Sequence, residues 1–182
     1  SRPLGTTPMS KLFALLLVTG LTATVLLGWN ANARSEPKRS DLPKKESSKI
    51  ERGRYLIEVA GCNDCHTDGF APSGGQVPES EWLQGSVVGF KGPWGTTYPI
   101  NLRLLVNSLS EKEWITYAKS VKGLPPMPWW SLHNMTNDDL GAVYAFVKHL
   151  GPKGEPAHAP IPPGEAPAGP FIDFDVHMPS TK

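Results

Sequence analysis

Apolar residues recur at helical spacing in three stretches of the chain. The first stretch runs up to the Gly61-Cys62 step, and its apolar positions are Ile50, Tyr55, Leu56, Val59 and Ala60. In the second stretch the positions i, i+3 and i+7 are Trp114, Tyr117 and Val121. The third stretch ends at Gly151-Pro152, and its apolar positions are Leu140, Val143, Tyr144, Val147 and Leu150. This periodicity predicts three amphipathic helices.

The second and third helices are preceded by residues that favour a helix start. Ser110 and Glu113 form a capping box, and Leu109 and Trp114 occupy the hydrophobic-staple positions around it. The same four positions recur before the third helix, occupied by Met135, Thr136, Asp139 and Leu140. We therefore expect these two helices to begin just after Ser110 and Thr136.

Glycine and proline interrupt the rest of the chain. Between Asp68 and Asn101 they recur every few residues, which predicts loops instead of regular elements. Residues 34–48 are charged with little to bury and predict a flexible linker. Residues 152–182 are rich in proline and predict an extended tail with no fold of its own. The predicted fold is mainly α: a small domain of residues 49–151 with long loops.

Three helices and long loops make a thin core for a domain of about 100 residues, because small domains bury a small fraction of their surface. We therefore expect a large apolar group at the centre of residues 49–151.

Residues 1–33 have the composition of a secretory signal. Lys11 precedes an apolar run from Leu12 to Leu27, and an A-x-A cleavage site ends at Ala33. Met9 is the expected initiator. The run falls short of the ~20 apolar residues that a spanning helix needs. We expect a cleaved signal and a periplasmic protein, with an uncleaved membrane anchor as the alternative.

The charge of the chain gives little support to nucleic-acid binding. The formal net charge is +1, and residues 1–33 hold two basic residues and no acidic one. The rest of the chain therefore has 16 basic and 17 acidic residues, without a basic stripe that would suit a phosphate backbone.

The motif Cys62-Asn63-Asp64-Cys65-His66 carries the candidate chemistry. C-x-x-C-H is the haem attachment sequence of c-type cytochromes. Two thiols on one helical turn can form thioethers with the two vinyl groups on one haem edge, and the adjacent imidazole can then ligate the iron. The motif predicts one covalently bound haem c, attached through Cys62 and Cys65 and ligated by His66.

Three other interpretations of the cysteine pair are weaker. A Cys62–Cys65 disulfide would suit an exported protein, but it closes a very small loop and leaves His66 unexplained. A thioredoxin-like redox pair requires a βαβ setting that this sequence lacks. A zinc site requires two further ligands, and the other four histidines are scattered without ligand spacing.

Met127 is the favoured sixth ligand to the iron. It lies sixty-one residues after His66, in the sequence LPPMPWW. Prolines on both sides hold the backbone extended, so a rigid loop can present the thioether. A lone methionine is more often a core filler. The competing ligands are Met135, which already has a staple position, and Met178, His133 and His149.

Three segments together resemble the class I cytochrome c fold. They are GRYLIEVAGCNDCHT, GPWGTTYPINL and LPPMPWWSLHNMTNDDLGAVYAFVKHLGP, and the likeness covers roughly residues 50–152. More narrowly, the chain is similar to haem domains in the cytochrome subunits of bacterial membrane-bound alcohol, aldehyde and sugar-acid dehydrogenases. It carries one attachment motif where those subunits carry three, so we do not expect it to be such a subunit as a whole.

The resemblance implies a role for each site residue. Cys62 and Cys65 would hold the haem, His66 would be the proximal ligand and Met127 the distal one. The segment 95–101 would line the propionate side. A proline carbonyl would fix the proximal imidazole, and the candidates for it are Pro72 and Pro78. Independently of the resemblance, three tryptophans are candidates to pack the haem crevice or lie at its edge: Trp94, Trp129 and Trp130.

Ligation by His and Met leaves no open coordination position, and the thioether raises the reduction potential. The expected function is one-electron transfer between periplasmic partners, with a dehydrogenase or a terminal oxidase as the redox partner. The alternatives are a permanent haem subunit of a larger respiratory complex, and a haem enzyme or gas sensor with a displaceable sixth ligand. We expect no nucleic-acid partner, and membrane contact only through an uncleaved signal segment.

Overall fold

The computed structural model describes residues 43–176 and 178–179. The predicted signal segment and most of the predicted linker lie outside these residues. The described part of the chain forms six α-helices and a three-stranded sheet. The helices are α1 (Lys44–Val59), α2 (Cys62–His66), α3 (Leu102–Asn107), α4 (Glu111–Ser120), α5 (Trp129–Asn134) and α6 (Asn137–Leu150). The strands are β1 (Gly89–Gly92), β2 (Gly95–Thr97) and β3 (Phe171–Asp173). None of these helices has the length and apolar character needed to cross a membrane.

Helices α1 and α6 form the main packing pair of the domain. The buried positions of α1 include Ile50, Gly53 and Ile57, at i, i+3 and i+7. Gly53 lies where the two backbones approach most closely. A Cβ atom at this position would lie 2.0 Å from the carbonyl oxygen of Ala142 in α6. The packing of the two helices therefore requires the absence of a side chain at residue 53.

The first predicted helix differs from the observed one in its start and in its buried face. Helix α1 begins at Lys44, so the last five residues of the segment predicted as a linker are helical. The side chains of Tyr55 and Val59 were predicted to be apolar packing positions, but they are 52% and 59% exposed. The hydrophobic pattern was misleading because one of the packing positions is Gly53, which does not register as apolar.

The predicted starts of the two later helices are confirmed. Ser110 and Glu113 form a reciprocal capping box at the start of α4. At the start of α6, Thr136 accepts a hydrogen bond from the Asp139 amide at 3.1 Å. The Asp139 carboxylate instead accepts from Arg52 in α1, at 2.9 Å. Helix α6 ends at Leu150, before Gly151, as predicted.

The prediction of loops alone between residues 68 and 101 is wrong. Strands β1 and β2 form an antiparallel hairpin there, with Phe90 opposite Thr97. These strands have three or four residues and several glycines, so they show no alternation of apolar and polar positions.

The tail is extended as expected, but it is not detached from the domain. Strand β3 in the tail pairs in parallel with β1, which makes the sheet order β2-β1-β3. Closer to α6, Ile161 exchanges two backbone hydrogen bonds with Thr96, of 2.9 and 2.8 Å. The tail therefore has no fold of its own, and its backbone hydrogen bonds hold it against the hairpin.

We predict that Gly53→Ala destabilises the protein by about 2 kcal/mol or more, because the new methyl group meets backbone atoms that cannot move without separating α1 from α6. Gly141→Ala is the matched control. Its methyl group would meet the ends of two flexible side chains, Glu111 and Lys49, and alanine gains about 1 kcal/mol of helix propensity. Urea unfolding followed by circular dichroism should show a change of less than about 1 kcal/mol for the control. Equal losses in the two variants would contradict the close-approach argument.

Candidate cofactor site

An apolar cavity of about 210 Å³ opens beside α2. Its walls come from seven parts of the chain: α2, the β1–β2 hairpin with the segment 98–100, α3, α4, the loop 121–127, α5 and the C-terminal tail. Carbon atoms dominate the lining, and the side chains of Phe90, Trp114 and Leu132 are among them. The thin helical core therefore surrounds a space that a large apolar group could fill.

The cavity brings together residues that are far apart in the sequence. Cys65, His66 and Met127 all line it. Cys62 is not among the lining residues; it lies one turn before Cys65 on α2 and packs against the hydrophobic core. Of the four predicted site residues, three thus line one cavity and the fourth, Cys62, does not.

The competing ligands lie elsewhere. Met135 packs against the hydrophobic core, and the Nε2 atom of His133 lies 2.9 Å from the carbonyl oxygen of Val121. Met178 is 81% exposed. Neither these three residues nor His149 lines the cavity.

His66 is held by a hydrogen bond that defines its tautomer. The side chain is buried, and its Nδ1 atom lies 2.8 Å from the carbonyl oxygen of Ile100. Burial lowers the pKa of His66, and the hydrogen bond to Ile100 opposes this shift with a smaller effect. The imidazole is therefore neutral at pH 7. Because a carbonyl can only accept, Nδ1 carries the proton and Nε2 keeps a free lone pair.

The carbonyl that orients His66 does not belong to either predicted proline. Pro72 and Pro78 are exposed, and Ile100 supplies the acceptor instead. Ile100 follows strand β2, in the segment 95–101 that the resemblance places beside the haem. Thr97, Tyr98, Pro99 and Ile100 all line the cavity. The contact of this segment with His66 is not predictable from the sequence because a main-chain acceptor leaves no residue-specific signal.

A buried network fixes α2 to the loop after it. The Thr67 hydroxyl donates to Asn63 Oδ1 at 2.7 Å and accepts from the Leu83 amide at 2.8 Å. Gly85 donates its amide to the main-chain oxygen of His66 at 2.8 Å. Hydrogen bonds thus hold both the side chain and the main chain of His66, so the imidazole has little freedom to reorient.

The two cysteines are free thiols in this structure. Burial raises the pKa of Cys62 to about 11, with a further contribution from the charge of Asp64. Burial also raises the pKa of Cys65. Both thiols are therefore protonated at neutral pH. Among residues 43–176 and 178–179, no three His, Cys, Asp or Glu residues are grouped to hold a metal ion.

Trp114 lines the cavity, whereas the three tryptophans predicted to lie there, Trp94, Trp129 and Trp130, do not. Trp94 packs against Phe174 of the tail, with ring centroids 6.0 Å apart. Trp129 packs at a tilt against His133, with ring centroids 5.0 Å apart, and Trp130 is 55% exposed. The helical face predicted as a packing face at Trp114, Tyr117 and Val121 also forms one wall of the cavity, and Trp114 belongs to the hydrophobic core at the same time. The periodicity identifies the side chains of this helix that point inward. It does not show whether they pack against other side chains or against a cofactor.

Comparison with known proteins gives one distant relative. The chain is similar to the fructose dehydrogenase cytochrome subunit of Gluconobacter japonicus, with 25% identity over 167 residues. The alignment covers 86% of this chain and 32% of that protein, so the chain spans about a third of the relative's length. No protein-family model and no solved structure matches the chain. Because the alignment is far longer than five residues, the similarity does not depend on the C-x-x-C-H motif alone.

We predict that Gly85→Ala destabilises the protein by about 3 kcal/mol, through left-handed strain and overpacking together. Gly85 has a φ of +85°, and an added Cβ would lie 2.7 Å from the Pro99 carbonyl oxygen and 3.2 Å from the Ile100 carbonyl carbon. The substitution would therefore displace the carbonyl group that orients His66.

Gly69→Ala is the control for backbone strain alone. Gly69 has a φ of +72°, but no atom lies within 4 Å of the added Cβ. This variant should lose only about 1–2 kcal/mol in the same urea titration. If the two variants lose the same stability, the contact between the Gly85 turn and the Ile100 segment does not constrain the site.

Proposed function

We propose that this chain is an exported haem domain that carries single electrons. One haem c would be attached through thioethers to Cys62 and Cys65, with His66 and Met127 as the iron ligands. The observation that carries this proposal is the position of His66 and Met127 on one apolar cavity next to the C-x-x-C-H motif. The similarity to a cytochrome subunit supports it independently.

The residues around the cavity match the requirements of haem c. The attachment thiols lie on one turn of α2, and the neutral His66 presents a free Nε2 lone pair because Nδ1–H is used by Ile100. Met127 offers a soft, uncharged thioether. Aromatic and aliphatic side chains fill most of the remaining wall. The described residues form a small, mainly helical domain, which supports the proposed class I cytochrome c fold.

Each of these residues has a separate task. His66 donates a lone pair from a fixed orientation, because its hydrogen bond prevents rotation of the ring. Met127 would occupy the sixth position and thereby exclude small ligands. The apolar wall, with Trp114 and Phe90, keeps water from the site. Bound haem supplies one-electron exchange between Fe(III) and Fe(II), and a thioether ligand and a dry environment both favour the ferrous form.

The relative suggests the class of redox partner. It is the cytochrome subunit of a fructose dehydrogenase, so we propose a dehydrogenase as the electron donor of this chain, and a terminal oxidase as a further partner. The same similarity supports a second candidate, in which the chain is a permanent haem subunit of such a complex. Pull-down from membranes of the native host separates the two, because a permanent subunit is recovered in stoichiometric amounts and a mobile carrier is not.

Covalent attachment provides the first test of this function. Protein matured in a host with the c-type maturation machinery should retain haem in denaturing gels and after extraction with acidic acetone, because thioether bonds survive both treatments. Cys62→Ala/Cys65→Ala protein made in the same host is the control and should lose its haem. Free extraction of haem from the unaltered protein would contradict the proposed attachment.

The second test concerns the sixth ligand. Met127→Ala should abolish the far-red Met–Fe(III) absorption band and let carbon monoxide bind the ferrous protein readily, and the reduction potential should fall because the thioether favours Fe(II). Met135→Ala is the matched control, because Met135 packs against the hydrophobic core and does not line the cavity. It should keep the band and lose about 2–3 kcal/mol of stability as a truncation of a partly buried side chain.

The opposite outcome would change the assignment. If Met135→Ala loses the band and Met127→Ala does not, the ligand is Met135. If neither variant changes the spectrum, another group occupies the sixth position, and a haem enzyme or gas sensor becomes the better description of the chain.

A further inference from the structure

We propose that Thr97 positions Met127, by tying the loop that carries Met127 to the β1–β2 hairpin. This inference rests on the proposed ligation by Met127. It assigns Thr97 a role in keeping the thioether in place, which neither the sequence pattern nor the resemblance indicates.

The contact is a short hydrogen bond in a buried position. The Thr97 hydroxyl lies 2.6 Å from the carbonyl oxygen of Pro125, two residues before Met127. A second acceptor, the carbonyl oxygen of Phe90, lies farther away at 3.4 Å. One hydroxyl hydrogen serves mainly one acceptor, and the shorter contact is to Pro125. Thr97 itself is 9% exposed, so water competes little for this bond.

The loop has few other restraints. Residues 125, 126 and 128 are prolines, which have no amide hydrogen to donate. The other hydrogen bonds of residues 122–128 are local: the Met127 amide donates to Leu124 at 3.2 Å, the Met127 carbonyl accepts from Trp129 at 2.9 Å, and the Pro128 carbonyl accepts from Ser131 at 2.9 Å. At the start of the loop, the Nε2 atom of His133 lies 2.9 Å from the carbonyl oxygen of Val121. In the described part of the chain, the Thr97 hydroxyl therefore makes the hydrogen bond that joins residues 122–128 to the β1–β2 hairpin.

The hairpin is a firm base for that bond. Thr97 is paired with Phe90 of β1. On the opposite side of the hairpin, β1 is paired with β3 of the tail. The neighbouring Thr96 exchanges two backbone hydrogen bonds with Ile161, also in the tail. Because the hairpin is held on both edges, the Thr97 hydroxyl has a fixed position. Its hydrogen bond therefore restrains Pro125, and with it Met127 two residues later.

The test measures how often Met127 leaves its position in the haem-loaded protein. Imidazole binding to the ferric form requires that departure, so its apparent affinity reports the open fraction of the loop. Thr97→Val keeps the shape of the side chain and removes the hydroxyl. We expect imidazole to bind on the order of tenfold more tightly, the equivalent of one lost hydrogen bond. The rate of carbon monoxide binding to the ferrous form should rise by a similar factor.

Two variants serve as controls. Thr97→Ser restores the hydroxyl and should bring the imidazole affinity back toward that of the unaltered protein. Thr96→Val removes a hydroxyl from the adjacent residue of the same strand; this hydroxyl is buried and has no hydrogen-bond partner in the described structure. Its imidazole affinity should not change. If Thr97→Val does not accumulate, Thr97→Ala removes the same hydroxyl and is measured in the same way.

The outcomes separate this inference from the proposed function. If Met127→Ala loses the far-red band but Thr97→Val binds imidazole like Thr96→Val, then Met127 is the ligand and Thr97 does not position it. A loss of thermal stability in Thr97→Val without a change in imidazole affinity overturns the inference in the same way. If Met127→Ala keeps the band, both the ligand assignment and the positioning role are wrong.

Discussion

The hydrogen bond between His66 and the Ile100 carbonyl is the interaction on which the site depends. It joins the helix that carries C-x-x-C-H to the segment after β2, at a distance of 2.8 Å. In a buried setting, an unpaired Nδ1–H would cost about 1–3 kcal/mol, so the segment cannot move away without a penalty. The same bond leaves the Nε2 lone pair free. One contact therefore sets both the position of the backbone and the chemistry of the imidazole.

The C-terminal tail contributes to this arrangement although it contains little regular structure. The Nδ2 atom of Asn101, the residue after Ile100, donates to the carbonyl oxygens of Lys153 and Glu155, at 2.8 and 3.1 Å. Its Oδ1 atom caps α3 by accepting from Leu104. Farther along, Pro160 lines the cavity and Ile161 pairs with Thr96. The tail thus closes one wall and anchors the residues that support His66.

Local signals in the sequence were sufficient for some features and insufficient for others. The capping residues Ser110 and Thr136 marked two helix starts, because a cap is formed by neighbours in the chain. The pairing of β3 with β1 and the approach of Gly53 to α6 were not predictable, since each depends on a residue about 80 or more positions away. The acceptor of His66 was not predictable either, although Ile100 lies only 34 positions away in the chain. Such contacts are set by tertiary packing, which leaves no short-range pattern.

The two sides of the cavity differ in how firmly they are held. On the His66 side, buried side-chain and backbone bonds from Thr67, Gly85 and Ile100 converge on one turn. On the Met127 side, the loop 121–127 is held by the stiffness of its prolines and by two side-chain hydrogen bonds from other elements, Thr97 to Pro125 and His133 to Val121. Local opening is easiest where few bonds must break. With the proposed iron ligands, an added small ligand should therefore replace Met127 and not His66. His66 would keep the haem in a constant orientation during that exchange.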